Sequence, residues 1–413
     1  MDPSRRHFLQ AGLVGISAGM LGLPLSAKSE RASNPFSPTS KLPFLEKEIS
    51  IQRISIKEVK ADNRIYHFIE VVSPQGKGIF PANNKLPYMM DMMRKMVVPY
   101  FLGKDARQLA DLVEGVYRAG RNYKYAGMPF WNCVASVELA ILDMLGKIEE
   151  VPVYDLFGEK IREEVPLYVS TFDRVSQAEK YVEDTLKKVE VHGAKSVKFK
   201  IGGRMSNNQD CLPGRNEALI PLARKTFGDD FTIYVDANGS YDAAHAIEVG
   251  KLLEDHQVAF YEEPCPWQNF EQTAEVSKAL FMDVAGGEQD NSLPMFKHMI
   301  GHEVVNIIQP DLMYAGGFHR VLKIAEMAAK QGIPITLHNP RFGAQLSAGL
   351  HFAAITPHVG PYQEYNPDRR LAKYATPDLM MRDGKLSIPQ GAGWGITYDQ
   401  NLWRNVIEET FDA

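Results

Sequence analysis

Three carboxylates in this sequence each close a short apolar run: Asp236 after Thr232-Ile-Tyr-Val, Glu262 after Ala259-Phe-Tyr, and Glu288 after Val284-Ala-Gly-Gly. The steps from 236 to 262 and from 262 to 288 are equal, and each suits one strand, one helix and two loops. Consecutive βα units that end their strands on acids would aim all three side chains into one mouth. Like charges so close repel strongly, and a divalent cation is the usual remedy. Oxygen ligands with no Cys or His at the same positions favour hard Mg²⁺ over zinc.

Upstream lies Lys198-Phe199-Lys200, where alternation puts both lysines on one strand face. If that face is the same mouth, each ammonium lowers the other's pKa, and a lysine so placed can act as a base. Downstream, Gln309-Pro310-Asp311 and Leu337-His338-Asn339 close two further runs. Adjacent strand ends would set Asp311 against His338, fixing the tautomer of the ring and raising the basicity of its other nitrogen. Glu364 closes the last run, placed to hydrogen-bond the developing charge or to serve as a second acid. A hard cation with a lysine on one side and a histidine on the other suits removal of the proton next to a carboxylate.

The elements that must position these residues follow from the patterning. After Val165 strand and helix alternate strictly, with strands over 167–171, 196–201, 232–236, 259–262, 284–287, 304–309, 334–337 and 362–365, and amphipathic helices such as 178–192, 243–255 and 317–331. Eight strands with intervening helices indicate a parallel α/β barrel, with a doubly wound open sheet as the alternative. No glycine-rich phosphate fingerprint opens any of these helices. Ahead of them, alternating runs from Ile49 to Val72 precede helical patterns over 89–100, 106–119 and 132–148, which is an α+β module. The chain thus divides into an export signal (1–27), a Ser- and Pro-rich leader (28–45), an α+β cap (46–160), a barrel (161–378) and a tail (379–413) that returns to the cap.

Across 413 residues, 45% hydrophobic and 23% charged content is that of a soluble globular enzyme, and a net charge of −5 without a basic, aromatic-interleaved face argues against nucleic acid. Cys133, Cys211 and Cys265 give no disulfide framework. Ser4-Arg5-Arg6-His7-Phe8-Leu9 before a short Gly-rich apolar run resembles a twin-arginine signal. It implies export of the folded chain to the periplasm and no membrane attachment after the signal is removed.

With Lys198 and Lys200, the acids in their Val-Asp-Ala-Asn-Gly, Glu-Glu-Pro and Gly-Gly-Glu settings, Asp311 and His338, and Glu364, nearly everything after residue 45 resembles the enolase superfamily, in the mandelate racemase subgroup of the mandelate racemase/muconate lactonizing enzyme family. The resemblance implies a modified TIM barrel, (β/α)₇β, under the α+β cap, one Mg²⁺ per subunit on Asp236, Glu262 and Glu288, and Glu263 in support. It implies a small-molecule carboxylate substrate, most often an acid sugar (aldonate or aldarate) dehydrated to a 2-keto-3-deoxy acid, with Lys200 or His338 taking the α proton. A racemase or epimerase, a cycloisomerase and a noncatalytic sugar-acid binding protein are the alternatives. Homo-oligomers, dimers or octamers, belong to the same resemblance. Substrate choice then falls to cap loops around Ile79–Lys85 and Met128–Asn132, with Asn83, Asn84 and Lys85, and to Asn238, Arg341 and the Gly202–Arg215 link that carries Arg204, Asn207, Asn208 and Asp210.

Overall fold

A computed structural model describes residues 40–42, 45–341, 343–368 and 370–413. Residues 1–27, expected to be an export signal, and most of the expected leader lie outside the described residues. The first module pairs β1 (Arg53–Ala61), β2 (Arg64–Val72) and β3 (Lys77–Pro81) in an antiparallel meander. Its helical part begins with α1 (Met90–Met92) and α2 (Val98–Phe101), joined by a π turn. The helix expected over 89–100 forms as one continuous run from Met90 to Phe101, with the π turn over Met93–Val97 just ahead of Pro99, which has no N–H to donate. After α3 (Leu109–Arg118) comes α4 (Met128–Ile148), which starts earlier than its apolar pattern suggests because Pro129 is well suited to a first turn. By length and composition α4 could cross a membrane, but nearly all of it is buried against β2, β3 and the body of the protein. It is apolar over most of its surface because it is covered on nearly every side, and its buried acids are partnered, Glu138 by the N–H groups of Phe318 and His319 and Asp143 by that of Ile79.

The body alternates β4 (Glu164–Ser170), α5 (Ala178–His192), β5 (Ser196–Lys200), α6 (Arg215–Phe227), β6 (Thr232–Asp236), α7 (Ala243–Asp255), β7 (Phe260–Glu262), α8 (Phe270–Ala279), β8 (Asp283–Gly286), α9 (Leu293–Gly301), β9 (Ile307–Ile308), α10 (Phe318–Lys330), α11 (Ala344–Ile355) and β10 (Gln363–Tyr365). The parallel strands lie in the order β10-β4-β5-β6-β7-β8-β9, so the last strand pairs with the first and the sheet curls. The strand expected over 334–337 survives only as single parallel bridges, Ile308↔Ile335 and Ile335↔Val359. β11 (Ala375–Thr376) and β13 (Thr397–Tyr398) pair with each other, β12 (Lys385–Ser387) adds antiparallel to β4, and β14 (Val406–Asp412) pairs with β1. The tail therefore contacts the body before it reaches the first module, where sequence pattern alone suggested only the second contact.

The seam between the two parts encloses His351 on α11, fully buried, whose Nδ1 accepts the Tyr154 backbone N–H at 3.1 Å. Burial pushes this imidazole down to about 3, against about 6.5 in an unfolded chain. Between those values the unfolded chain holds a proton that the folded chain lacks, so stability falls as pH falls, by up to about 1.4 kcal/mol per pH unit. Between about pH 7 and pH 5, urea titrations should show the native chain losing about 2 kcal/mol more than His351→Asn. Parallel losses in the two proteins would refute the assignment.

Candidate functional site

Strand register sets up the first half of the site. Lys200 on β5 stands opposite Asp236 on β6, which stands opposite Glu262 on β7, all at the strands' C-terminal ends. Glu262 is opposite Ala285, so Glu288 lies past the end of β8 and gains its place differently. Gly286-Gly287 carries the chain over the sheet edge, with Gly287 at φ 116°, a conformation open to glycine and strained for other residues. Carboxylate oxygens of Asp236, Glu262 and Glu288 all come within 4.8 Å of one another, and all three residues are buried.

Three buried acids so close form a strained set without a cation. Glu262 Oε2 takes Lys198 Nζ at 2.6 Å and Gln309 Nε2 at 3.0 Å, which leaves Oε1 without a hydrogen-bond partner among the described residues. Burial, reinforced by the charges of Asp236 and Glu288, lifts the Glu262 carboxyl to about 8 despite Lys198. Burial would lift Asp236 as well, but Lys200, Lys198 and Arg174 outweigh it and hold that carboxyl below its ordinary range. An open oxygen facing two more acids fits a hard divalent cation, and an all-oxygen donor set fits Mg²⁺. Glu263, at φ 40°, accepts from Asn238 Nδ2 at 3.3 Å.

The lysine pair divides. Lys200 Nζ is ion-paired with Asp236 Oδ2 and lies 3.3 Å from Asn238 Oδ1. Lys198, fully buried, bonds Glu262 and lies 3.2 Å from Glu364 Oε1. The sequence reading had each ammonium lowering the other; for Lys198 the outcome is reversed. Burial does act to lower it, but Glu262 and Glu364 prevail and push it well above the ordinary lysine value. Lys198 is a fixed cation.

Across the row of acids, Asp311 and His338 are bridged backbone to backbone, and His338 Nδ1 lies 2.8 Å from Asp311 Oδ2. That contact directs Nε2 inward, 3.2 Å from Glu288 Oε2. Burial disfavours the imidazolium, but Glu288, Asp311 and Glu364 raise the ring to about 9. Glu364 accepts from Ser170 Oγ and the Asn339 N–H, each at 2.6 Å, and is held at about 2, burial being outweighed by Lys198 and His338. It is placed to accept hydrogen bonds.

Other expected contacts fall elsewhere. Arg341 does not present an open fork: Nη1 and Nη2 clasp Asp311 at 2.7 and 2.9 Å. Lys85 is exposed, its ammonium 5.6 Å from the Tyr88 ring centre. Asn83 bonds Asn132 Oδ1 at 3.0 Å and also interacts with Tyr314, whose ring lies 5.9 Å from that of His338. Asn238 is a hub, its N–H on Asp236 Oδ1 at 2.7 Å and its Oδ1 taken by cations. Asn208 is tied to Asp242, and Asp210 to Tyr241 and Asn216. Sequence reasoning assigned no role to Gln309, Ser170 or Arg174. The signal available for Gln309 and Ser170 was their strand-end position alongside Asp311 and Lys198, while Arg174 had only its place in the first loop of the body.

Residues 180–402 match the family described as Enolase C-terminal domain-like. The chain belongs to the enolase superfamily. Residues 82–158 match the mandelate racemase / muconate lactonizing enzyme N-terminal domain, so both parts of the superfamily's two-part plan are present. Among similar proteins, an arabinonate dehydratase of Saccharolobus solfataricus is 28% identical over 74% of this chain and 80% of its own. A D-galactarolactone cycloisomerase of Agrobacterium fabrum is 27% identical over 73% of this chain and 80% of its own. The fold is shared with a mandelate racemase/muconate lactonizing protein of Paracoccus denitrificans solved in complex with magnesium, at 23% identity and a TM-score of 0.80 over 87% of this chain and 99% of that one.

Proposed function

We propose that this superfamily member is a Mg²⁺-dependent dehydratase of acid sugars, built as a modified (β/α)₇β barrel under an α+β cap. One observation carries the reading: Lys200 and His338 stand at opposite ends of the Asp236, Glu262, Glu288 row, one on Asp236 and the other 3.2 Å from Glu288. A substrate carboxylate drawn to that row presents its α-carbon between two groups able to move protons. Mg²⁺ held by the three acids supplies positive charge toward that carboxylate and lowers the cost of removing the neighbouring proton. Lys200 or His338 takes the α proton. The β hydroxyl leaves as water with a proton from His338, and the remaining enol ketonises to a 2-keto-3-deoxy acid. Asp311 holds the His338 ring for this exchange, and Lys198 and Glu364 fix the charge behind it. The barrel reading is supported by the bridges at Ile335, which span the interval between β9 and the segment leading to β10.

Proton NMR in D₂O with Mg²⁺ and a panel of mono- and diacid sugars tests the function. Loss of the β hydroxyl with a new deuterated methylene is the expected result. Deuterium at an inverted α-carbon with the hydroxyl retained would replace the reading by a racemase or epimerase, and lactone ring opening or closure by a cycloisomerase. Binding with no exchange would leave a noncatalytic binding protein.

Metal loading has its own readout. At a free Mg²⁺ concentration about 100 times Kd, the folded state gains about 2.7 kcal/mol. The urea midpoint should rise accordingly for the native chain and stay flat for Glu288→Ala, and a flat native response would refute the metal site. The same proposal includes a dimer or octamer, to be read by sedimentation velocity, and export through Arg5-Arg6. Arg5→Lys with Arg6→Lys should hold the chain in the cytoplasm, and equal recovery from the periplasmic fraction would sink the export assignment.

A further inference from the structure

The C-terminal ends of three successive parallel strands carry two cations that the dehydration scheme does not use. Arg174 follows β4, Arg204 follows β5, and both reach Asn238, which follows β6. Nη2 of Arg174 and Nη2 of Arg204, the latter at 3.2 Å, donate to one Asn238 Oδ1, which also lies 3.3 Å from Lys200 Nζ. Nη1 of Arg174 donates to the Ile201 and Gly202 carbonyls. Neither guanidinium pairs with a carboxylate among the described residues, whereas Arg94, Arg320 and Arg341 each do.

Two guanidinium groups on one neutral amide oxygen, beside a lysine whose own carboxylate is Asp236, is a poorly compensated arrangement. The like charges repel, and a single amide oxygen offers two lone pairs where a carboxylate would offer two oxygens and a charge. Guanidinium forks favour planar carboxylates, which they bind with paired hydrogen bonds. Beside them Phe172 is exposed, its ring centre 5.9 Å from Lys200 Nζ, giving an apolar wall on the same side of the mouth. The shared contact with Asn238 keeps both arginines within one acceptor of Lys200, and so within the span of a single small molecule whose other end is at the acids.

We propose that Arg174 and Arg204 form an anion subsite and that the substrate is a sugar diacid whose distal carboxylate they bind. This rests on the dehydratase reading for the place of the first carboxylate. It departs from the similar arabinonate dehydratase, whose named substrate has a single carboxylate.

The test compares galactarate, a diacid, with galactonate, a monoacid of equal carbon number, on the Mg²⁺-loaded protein. The ratio of kcat/KM for the diacid to that for the monoacid should be at least about tenfold and should fall by about tenfold in Arg204→Gln and in Arg174→Gln, as the loss of one charge-assisted pair would give. Titration calorimetry on Mg²⁺-loaded Lys200→Met gives the same comparison as a ratio of Kd values without turnover. A diacid-to-monoacid ratio near one, or one that survives both substitutions, overturns the subsite. A purely structural tie between loops would weaken both acids alike and leave the ratio unmoved. If neither acid is turned over, the dehydratase reading fails, and the calorimetric ratio still decides the subsite by itself.

Discussion

His338→Asn should lower kcat by about three to four orders of magnitude, the upper range for loss of a positioned proton-transfer group. Asparagine can still hydrogen-bond Asp311, so the local frame survives while the inward Nε2 is lost. The Asp311 carboxylate is itself secured by Arg341 and by the N–H groups of Met313 and Tyr314 at 2.7 and 3.0 Å, and this network does not depend on the imidazole. The measurement is steady-state turnover together with exchange of the α hydrogen into D₂O, with circular dichroism to establish that the fold is kept. If Lys200 takes the α proton, exchange persists while elimination stops; if His338 takes it, both stop. Turnover within about tenfold of the native value would remove His338 from the reaction.

How much of this was legible follows from what sequence patterns encode. Equal spacing of Asp236 and Glu262 was informative because parallel strands in register put equivalent positions side by side, and Lys200 joins the same row. Glu288 shares the spacing but not the register: it reaches the row through Gly286-Gly287, and only the glycines hinted at that path. The last part of the curled sheet was harder. Residues 334–337 have a strand's apolar run, but Pro334 cannot donate to a ladder, and what forms is a set of bridges.

Loop side chains left the weakest trace. Lys85 and Arg341 were plausible as carboxylate contacts because each is a cation near the mouth in sequence. One stacks on Tyr88 and the other is spent on Asp311. Arg174, which the pattern did not single out, reaches Asn238 beside Arg204, which it did. No periodicity fixes where a loop residue points, so charge type alone cannot separate a salt bridge from a ligand contact. The lysine pair shows the same limit: alternation placed both on one face, but not the buried carboxylates that keep Lys198 charged.

Lys200→Met should likewise reduce kcat by about three orders of magnitude, and it should do something His338→Asn does not. Methionine keeps the length and apolar stem of the side chain but leaves the buried Asp236 carboxylate without its closest cation. Breaking a buried pair from one side costs about 3–5 kcal/mol when nothing replaces the lost charge. The Lys200→Met protein should therefore be strongly destabilised in EDTA and regain most of that loss on adding Mg²⁺, a larger metal-dependent gain than the native chain shows. Urea titrations with and without the ion measure this directly. Equal gains in the two proteins would mean that Asp236 does not belong to the ion's site, and near-native turnover would mean that Lys200 is not a base. Recovered stability with turnover still absent is the expected pair of results, because the ion can compensate the Asp236 charge but cannot supply the group that accepts a proton on that side of the substrate.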